Sequence, residues 1–320
     1  MPVPLDEYPI HQVALSMGQV GTSDRNFYDR SYFMGHDRTG GVMLVTGLGV
    51  YPNLGVADAY ATVRRGDRQW TRRCSDAIFA DRLRPAVGPY RIEVAEPLRR
   101  LRLVLDDPDG DLAMDLTWEG SFPCIDEPRH LLHQGPRVTL DGCRFAQLGG
   151  WSGTLTVAGE DRRVDPDTWV GARDRSWGIR PVGEAEPAGR FGGFGDGFWW
   201  LYAPLRFDDF ALIVIVQEDP DGHRTLNAAS RVFADGRIEQ LGWPQIDFVY
   251  RPGTRHPEHA TIHLTGRDRR SVTVEIDTLT SIALHLGPGY GGDAEWGHGQ
   301  WKGAGWQDRV SHDLTDPAVA

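Results

Sequence analysis

The stretch 101–119 reads Leu101-Arg102-Leu103-Val104-Leu105-Asp106-Asp107-Pro108-Asp109-Gly110-Asp111-Leu112-Ala113-Met114-Asp115-Leu116-Thr117-Trp118-Glu119. Leu101, Leu103 and Leu105 keep a period of two before the Asp-Pro-Asp-Gly segment. Leu112, Met114, Leu116 and Trp118 resume it, alternating with Ala113, Asp115, Thr117 and Glu119. Alternation of this kind marks strands with one buried face. The segment between them is turn chemistry: proline presets φ, aspartate bonds its own backbone and glycine accepts positive φ. The stretch is therefore an antiparallel hairpin.

The same style extends in both directions. Tyr90, Ile92 and Val94 precede it in phase, and Gly41–Val50 is a β-branched apolar run. Gly66-Asp67 separates the strand candidates 57–65 and 68–73, and short helical turns are expected near 71–80. Further on, 198–205, 211–216, 228–233, 237–241, 260–265 and 271–286 read as strands. Turns at 219–222 and Asp235-Gly236 lie between some of them. The 39 glycines and 21 prolines suit many short strands. Residues 123–148 lack alternation and read as a linker or lid. The expected fold is all-β: two antiparallel β-barrel or sandwich halves packed together, residues 1–148 and 149–320, whose shared turn chemistry would make them a weak duplication. Barrels of this size leave room for one small ligand.

The net charge of −11 disfavours phosphate backbones, so nucleic acid is not an expected partner. The N-terminus shows no basic start followed by an apolar run, and no stretch approaches a membrane helix, so a cytoplasmic protein without an integral membrane segment is expected. Three cysteines, Cys74, Cys124 and Cys143, do not make a disulfide framework or a zinc knuckle.

Three clusters carry candidate chemistry. In Trp169–Arg180, an extended chain puts Arg173, Arg175 and Trp177 on one face and Asp174 and Ser176 on the other. A carboxylate desolvated there has a raised pKa and can donate a proton, while the alternative is an Asp–Arg pair anchoring a strand. In 189–202, the glycines carry no phosphate-loop lysine, and Phe198, Trp200 and Tyr202 share a face that forms either a pocket wall or plain core. In 287–303, His298 lies between glycines with Glu295 and Asp293 near, a candidate proton-transfer group, or else a satisfied histidine. His256–His263 mimics a metal motif, but on a strand His259 and His263 stand roughly 13 Å apart, too far to share an ion.

Arg173-Asp174-Arg175-Ser176-Trp177-Gly178 resembles the signature of the hydroxyneurosporene synthase (carotenoid 1,2-hydratase) and AttH-like group. Trp296-Gly297-His298-Gly299-Gln300-Trp301-Lys302-Gly303 is similar to the close of its bacterial relatives. Arg175 departs from that group, where histidine is often found. The resemblance implies tandem lipocalin-like domains related to tocopherol cyclase. It also implies cofactor-independent protonation of a carbon–carbon double bond, with no metal. The expected activity is that of a hydratase, dehydratase or cyclase on an apolar terpenoid, steroid or aromatic substrate. Asp174, His298 and Glu295 would move protons, and Arg173, Trp177, Phe198, Trp200, Tyr202 and Tyr290 would bind substrate. A homodimer is compatible with this, and a non-catalytic carrier of a hydrophobic metabolite is the alternative.

Overall fold

Two-residue and Asx-type turns set the topology. Arg65 and Arg68 pair across Gly66-Asp67, with Gly66 at a φ of 58°, a conformation glycine adopts without strain. The computed structural model describes residues 1–12, 20–187, 197–291 and 293–316. It is all-β, and among the described residues the one helix is the 3-10 turn Pro4–Glu7. The first strands are β1 (Phe27–Asp37), β2 (Val42–Tyr51), β3 (Val56–Arg65), β4 (Arg68–Ala77), β5 (Ala86–Val87), β6 (Tyr90–Glu96), β7 (Arg100–Leu105) and β8 (Leu112–Gly120). Then come β9 (Ile125–Asp126), β10 (His130–Gln134), β11 (Arg137–Val157), β12 (Glu160–Val164) and β13 (Trp169–Ile179). After these follow β14 (Trp199–Arg206), β15 (Phe210–Glu218), β16 (Arg224–Phe233) and β17 (Ile238–Gln240). The last are β18 (Gln245–Tyr250), β19 (Pro257–Thr265), β20 (Ser271–Asp277) and β21 (Trp306–Asp313).

The chain forms two compact units, 1–191 with 282–320, and 192–281. The first holds one antiparallel sheet in the order β21-β4-β3-β2-β1-β13-β11-β8-β7-β6-β5, with β9, β10 and β12 also on β11. The sheet curls on itself: Cys74 in β4 donates to the Val87 carbonyl in β5 at 3.3 Å, and Arg72 in β4 pairs with Asp107 after β7 at 2.9 Å. Curling hides the edges that open strands would expose. The inner face is filled by the protein's own side chains. Phe33, Trp118 and Trp151 meet edge to face, with ring centroids 5.1–6.4 Å apart, among Leu44, Leu101, Leu103 and Leu116. The ligand-sized space expected inside such a barrel is occupied, at this layer, by indole rings.

The second unit is a small sandwich. Its four-stranded sheet β14-β15-β16-β17 and its three-stranded sheet β18-β19-β20 share one core of Leu212, Val214, Val216, Ile262, Leu264 and Val274.

Four expectations are corrected. Residues 123–148 are not a linker: they hold β9, β10 and the first half of β11. Both faces of that stretch are partly covered, so no polar–apolar alternation marks it. The boundary anticipated at 148/149 lies within β11. Residues 71–77 continue β4 rather than turning into helix, because β3 and β21 pair with them on both edges. The strand expected over 271–286 ends at Asp277, and from Ile282 the chain belongs to the first unit.

Candidate functional site

The register of β1 and β13 sorts the candidates. Asp29, Ser31 and Phe33 pair with Trp177, Arg175 and Arg173, while Arg30 and Tyr32 pair with Ser176 and Asp174. Paired residues share a face, so Arg173, Arg175 and Trp177 face inward and Asp174 and Ser176 face outward, the split that the alternation requires.

On the inner face, the motif arginines are committed to the protein itself. Arg173 grips Glu7 through Nη1 at 2.6 Å and Nη2 at 2.9 Å, and its Nε donates to Gln147 at 2.8 Å. Arg175 pairs with Asp29 and donates to the Ser31 hydroxyl at 2.8 Å. His11 bonds Asp29 at 2.7 Å and stacks on Trp177 with ring centroids 3.5 Å apart. The N-terminal segment thus occupies Arg173 and Trp177, two side chains expected at a substrate.

On the outer face the groups are arranged differently. Gly49 lies between Arg30 and Asp58 in the ladder, and Gly47 between Tyr32 and Tyr60. A Cβ on Gly49 would meet the Tyr51 hydroxyl at 2.4 Å, and one on Gly47 would meet the Tyr60 ring at 3.1 Å. The two glycines therefore make room for tyrosine rings lying flat across β2. Segment 282–305 covers this layer, with Ile282, Leu284 and Trp296 packed on Val45 and Tyr60.

His298, read from its glycine neighbours as reachable, is buried. Arg30 donates to its Nε2 at 2.9 Å, and its Nδ1 lies 3.7 Å from Asp58. Burial, and then the Arg30 charge, push His298 down to about 4, so it is neutral with its proton on Nδ1. Asp58 also accepts from Tyr51 at 3.2 Å and from the Gly299 N–H at 2.7 Å. Arg30 further reaches the Tyr290 hydroxyl at 3.4 Å, which meets the Tyr60 hydroxyl at 3.0 Å. Glu295 does not face His298: it is exposed, and Asp58 holds the position expected of it. Asp293 is instead paired with Arg73.

Asp174 lies on the same face, opposite Tyr32, which meets Tyr290 edge-on at 6.5 Å. Its side chain is 13% exposed, and Arg144 Nε lies 3.9 Å from Oδ1. Burial holds its carboxyl above the ordinary range, although Arg144, Arg30, Arg175 and Arg173 pull it down. Asp174, Tyr290 and His298 are thus brought together on one sheet face. In the second unit, Trp199, Leu201, Ala203 and Leu205 turn into the core, so Trp200 and Tyr202 take the other face, and Phe198 is exposed. The glycine-rich run 189–197 lies, apart from Gly197, outside the described residues.

Sequence reasoning missed Arg30, Asp58, Arg144 and Glu127. Asp58 was discoverable: in Ala57-Asp58-Ala59-Tyr60-Ala61 it stands alone among small residues on a strand. Glu127 carried no signal in its proline-flanked surroundings. In the false metal motif, His259 bonds Asp277 at 2.8 Å and His263 lies 3.6 Å from Asp247, each tied to a neighbouring strand.

The sequence profile described as "Family of unknown function (DUF8625)" matches residues 3–316. No curated protein matches the chain in sequence. Among solved structures, kievitone hydratase from Nectria haematococca aligns at 15% identity over 88% of this chain and 81% of its own, with a TM-score of 0.53. A protein provisionally assigned as AttH from Nitrosomonas europaea aligns at 14% identity over 75% and 77%, with a TM-score of 0.49. CghA aligns at 12% identity over 79% and 76%, also with a TM-score of 0.49. The first of these likenesses is one of fold. No helix among the described residues is long and apolar enough to cross a membrane.

Proposed function

The chain belongs to the family of unknown function DUF8625, so its activity is argued from its own groups, and we propose that it is a cofactor-independent lyase or isomerase of hydratase, dehydratase or cyclase type. Its substrate would be an apolar terpenoid, steroid or aromatic molecule. The observation that carries this reading is Asp174: a carboxyl held up by burial, lying on one sheet face with the rings of Tyr32 and Tyr290. A protonated carboxyl in that setting can give its proton to an alkene carbon. The electron pair of the double bond forms the new C–H bond, and the cation left on the other carbon is attracted to tyrosine faces. The Arg144 guanidinium, 3.9 Å away, stabilises the negative charge left on Asp174. Water attack followed by return of a proton to Asp174 completes a hydration. Loss of a neighbouring proton to Asp174 completes an isomerisation; where a second double bond of the substrate first attacks the cation and its electron pair forms a ring bond, the same loss from the new cation completes a cyclisation.

The other groups then have definite tasks. Arg30 and the Tyr290 hydroxyl are donors that can hold an oxygen function of the substrate. His298 spends its Nε2 lone pair on Arg30, so it aims the guanidinium and does not act as a base. Among chains of this fold one is, by name, a hydratase, so such chemistry has a precedent on the scaffold without being assigned by it.

The test is turnover of prenyl and aromatic alkenes by wild type and Asp174→Asn. Loss of a general acid lowers the rate by roughly 10²–10⁴-fold. Equal rates in the two proteins overturn the role of Asp174. Tight binding without turnover by wild type replaces the enzyme with a carrier.

A further inference from the structure

Glu127 follows β9 and has a side chain only 3% exposed. It is fixed to Arg144 from both ends: its N–H donates to the Arg144 carbonyl at 2.8 Å, and Arg144 Nη1 donates to Oε2 at 3.2 Å. The Nε edge of the same guanidinium faces Asp174 at 3.9 Å. The second oxygen of Glu127, Oε1, is buried with no hydrogen-bond partner among the described residues. An ionised carboxylate leaves that oxygen uncompensated, whereas a protonated carboxyl can carry its hydrogen there.

On the outer face between β11 and β3, Arg144 stands between Glu127 and Asp174, while Arg30 is held by His298 beside Asp58 and Arg180 lies over the Tyr28 ring at 4.6 Å. His298 and His130 add no charge near neutrality, since both are pushed down to about 4. Burial is the main cause, with Arg30 adding to it for His298 and Arg144 for His130. Arg173 and Arg175 are committed to Glu7 and Asp29 on the inner face. Two acids on one guanidinium balance when one of them is protonated.

We infer that Glu127 and Asp174 share one proton across Arg144, and that Glu127 is the positioning residue that sets whether Asp174 is an acid or a base. The titratable and charged groups around the pair are Tyr28, Arg30 and Tyr32 from β1, His130 from β10, and Arg180 after β13, which lies over the Tyr28 ring. Burial pushes Glu127 up to about 7, Arg144 works against it, and the Asp174 charge raises it further. Two acids coupled in this way titrate as a pair. The use of the shared proton in catalysis rests on the function proposed above; the sharing itself does not.

The experiment is a carbon-13 NMR titration of Asp and Glu carboxyls in the full-length protein. The wild type, Glu127→Gln and Asp174→Asn are compared from about pH 4 to 9. Wild type shows a carboxyl titrating near neutrality. In Glu127→Gln that signal is lost, and Asp174, now the one acid on Arg144, shifts down by about one unit or more. In Asp174→Asn, Glu127 shifts down likewise, which decides the matter if Glu127→Gln does not fold. An Asp174 midpoint unchanged by Glu127→Gln, or a Glu127 midpoint unchanged by Asp174→Asn, overturns the shared proton. Equal turnover by wild type and Asp174→Asn removes Asp174 from the chemistry and leaves these titrations standing.

Discussion

Glu7→Ala tests whether the inner-face arginines are structural. Glu7 and Arg173 have side chains 2% and 0% exposed. The carboxylate takes two charge-assisted bonds from Arg173 and a third from the Leu98 N–H at 2.7 Å. Removing it leaves a buried guanidinium with Gln147 as its remaining close oxygen partner. Charge-assisted bonds contribute about 1.5–3 kcal/mol each, and breaking a buried pair by deleting one partner costs about 3–5 kcal/mol. Water can reach Arg173 if the N-terminal turn lifts away, which places the expected loss at the lower end, about 3 kcal/mol. Equilibrium urea unfolding followed by tryptophan fluorescence reads the loss. In Glu7→Met/Arg173→Met both charges are gone, and Gln147 keeps its bonds to the Leu98 and Phe122 carbonyls. That double variant recovers to within about 1 kcal/mol of wild type. A loss below about 1 kcal/mol in Glu7→Ala, or a double variant as unstable as the single one, refutes the reasoning and frees Arg173 for a ligand.

Two further outcomes follow from the outer face. His298 has a folded pKa of about 4 against roughly 6.5 unfolded, so its contribution to stability is fully present above about pH 6.5 and is lost as pH falls toward 4. NMR titration of its ring should therefore show no transition near 6.5, and such a transition would contradict the Arg30 donation to Nε2. Gly49→Ala drives a methyl to 2.4 Å from the Tyr51 hydroxyl and 3.0 Å from Arg30 Cγ. Overpacking of this kind costs about 1–3 kcal/mol, measured as a lower thermal midpoint, and an unchanged midpoint would mean the tyrosine layer is looser than described.

How far the sequence reveals this molecule depends on whether a residue sees one environment or two. Strands β6 to β8 each have a wet and a dry face, so 90–119 announces itself by alternation. The turns at 66–67, 107–110, 219–222 and 235–236 are equally legible, since glycine and aspartate occur there for local reasons. Strand β11 is the opposite case. Its edges serve β13, β8, β9, β10 and β12 in turn, and covering on both faces erases the binary pattern. At the site, Asp174 was legible because tryptophan and arginine crowd it in the chain. Asp58 showed as a lone acid among small residues, although its partner His298 is distant in sequence, and Glu127 showed nothing, because only the folded chain brings Arg144 to it.

The period of a β-strand explains why one six-residue motif carries two kinds of residue. Arg173 and Arg175 project to the inner face, where each meets a carboxylate of its own, and the charges there are matched one to one. Asp174, one step out of phase, projects to a face where it and Glu127 lie on a single guanidinium, that of Arg144. A matched buried pair resists proton exchange, since moving a proton uncovers a charge. An unmatched set must hold a proton somewhere, and small changes in its surroundings move that proton. The proposed chemistry therefore belongs to the phase of β13 that carries Asp174, and anchoring of the N-terminal segment to the phase that carries Arg173. Sliding either neighbour of β13 by one residue would exchange the two sets, so the register with β1 and β11 is itself a condition for the proposed activity.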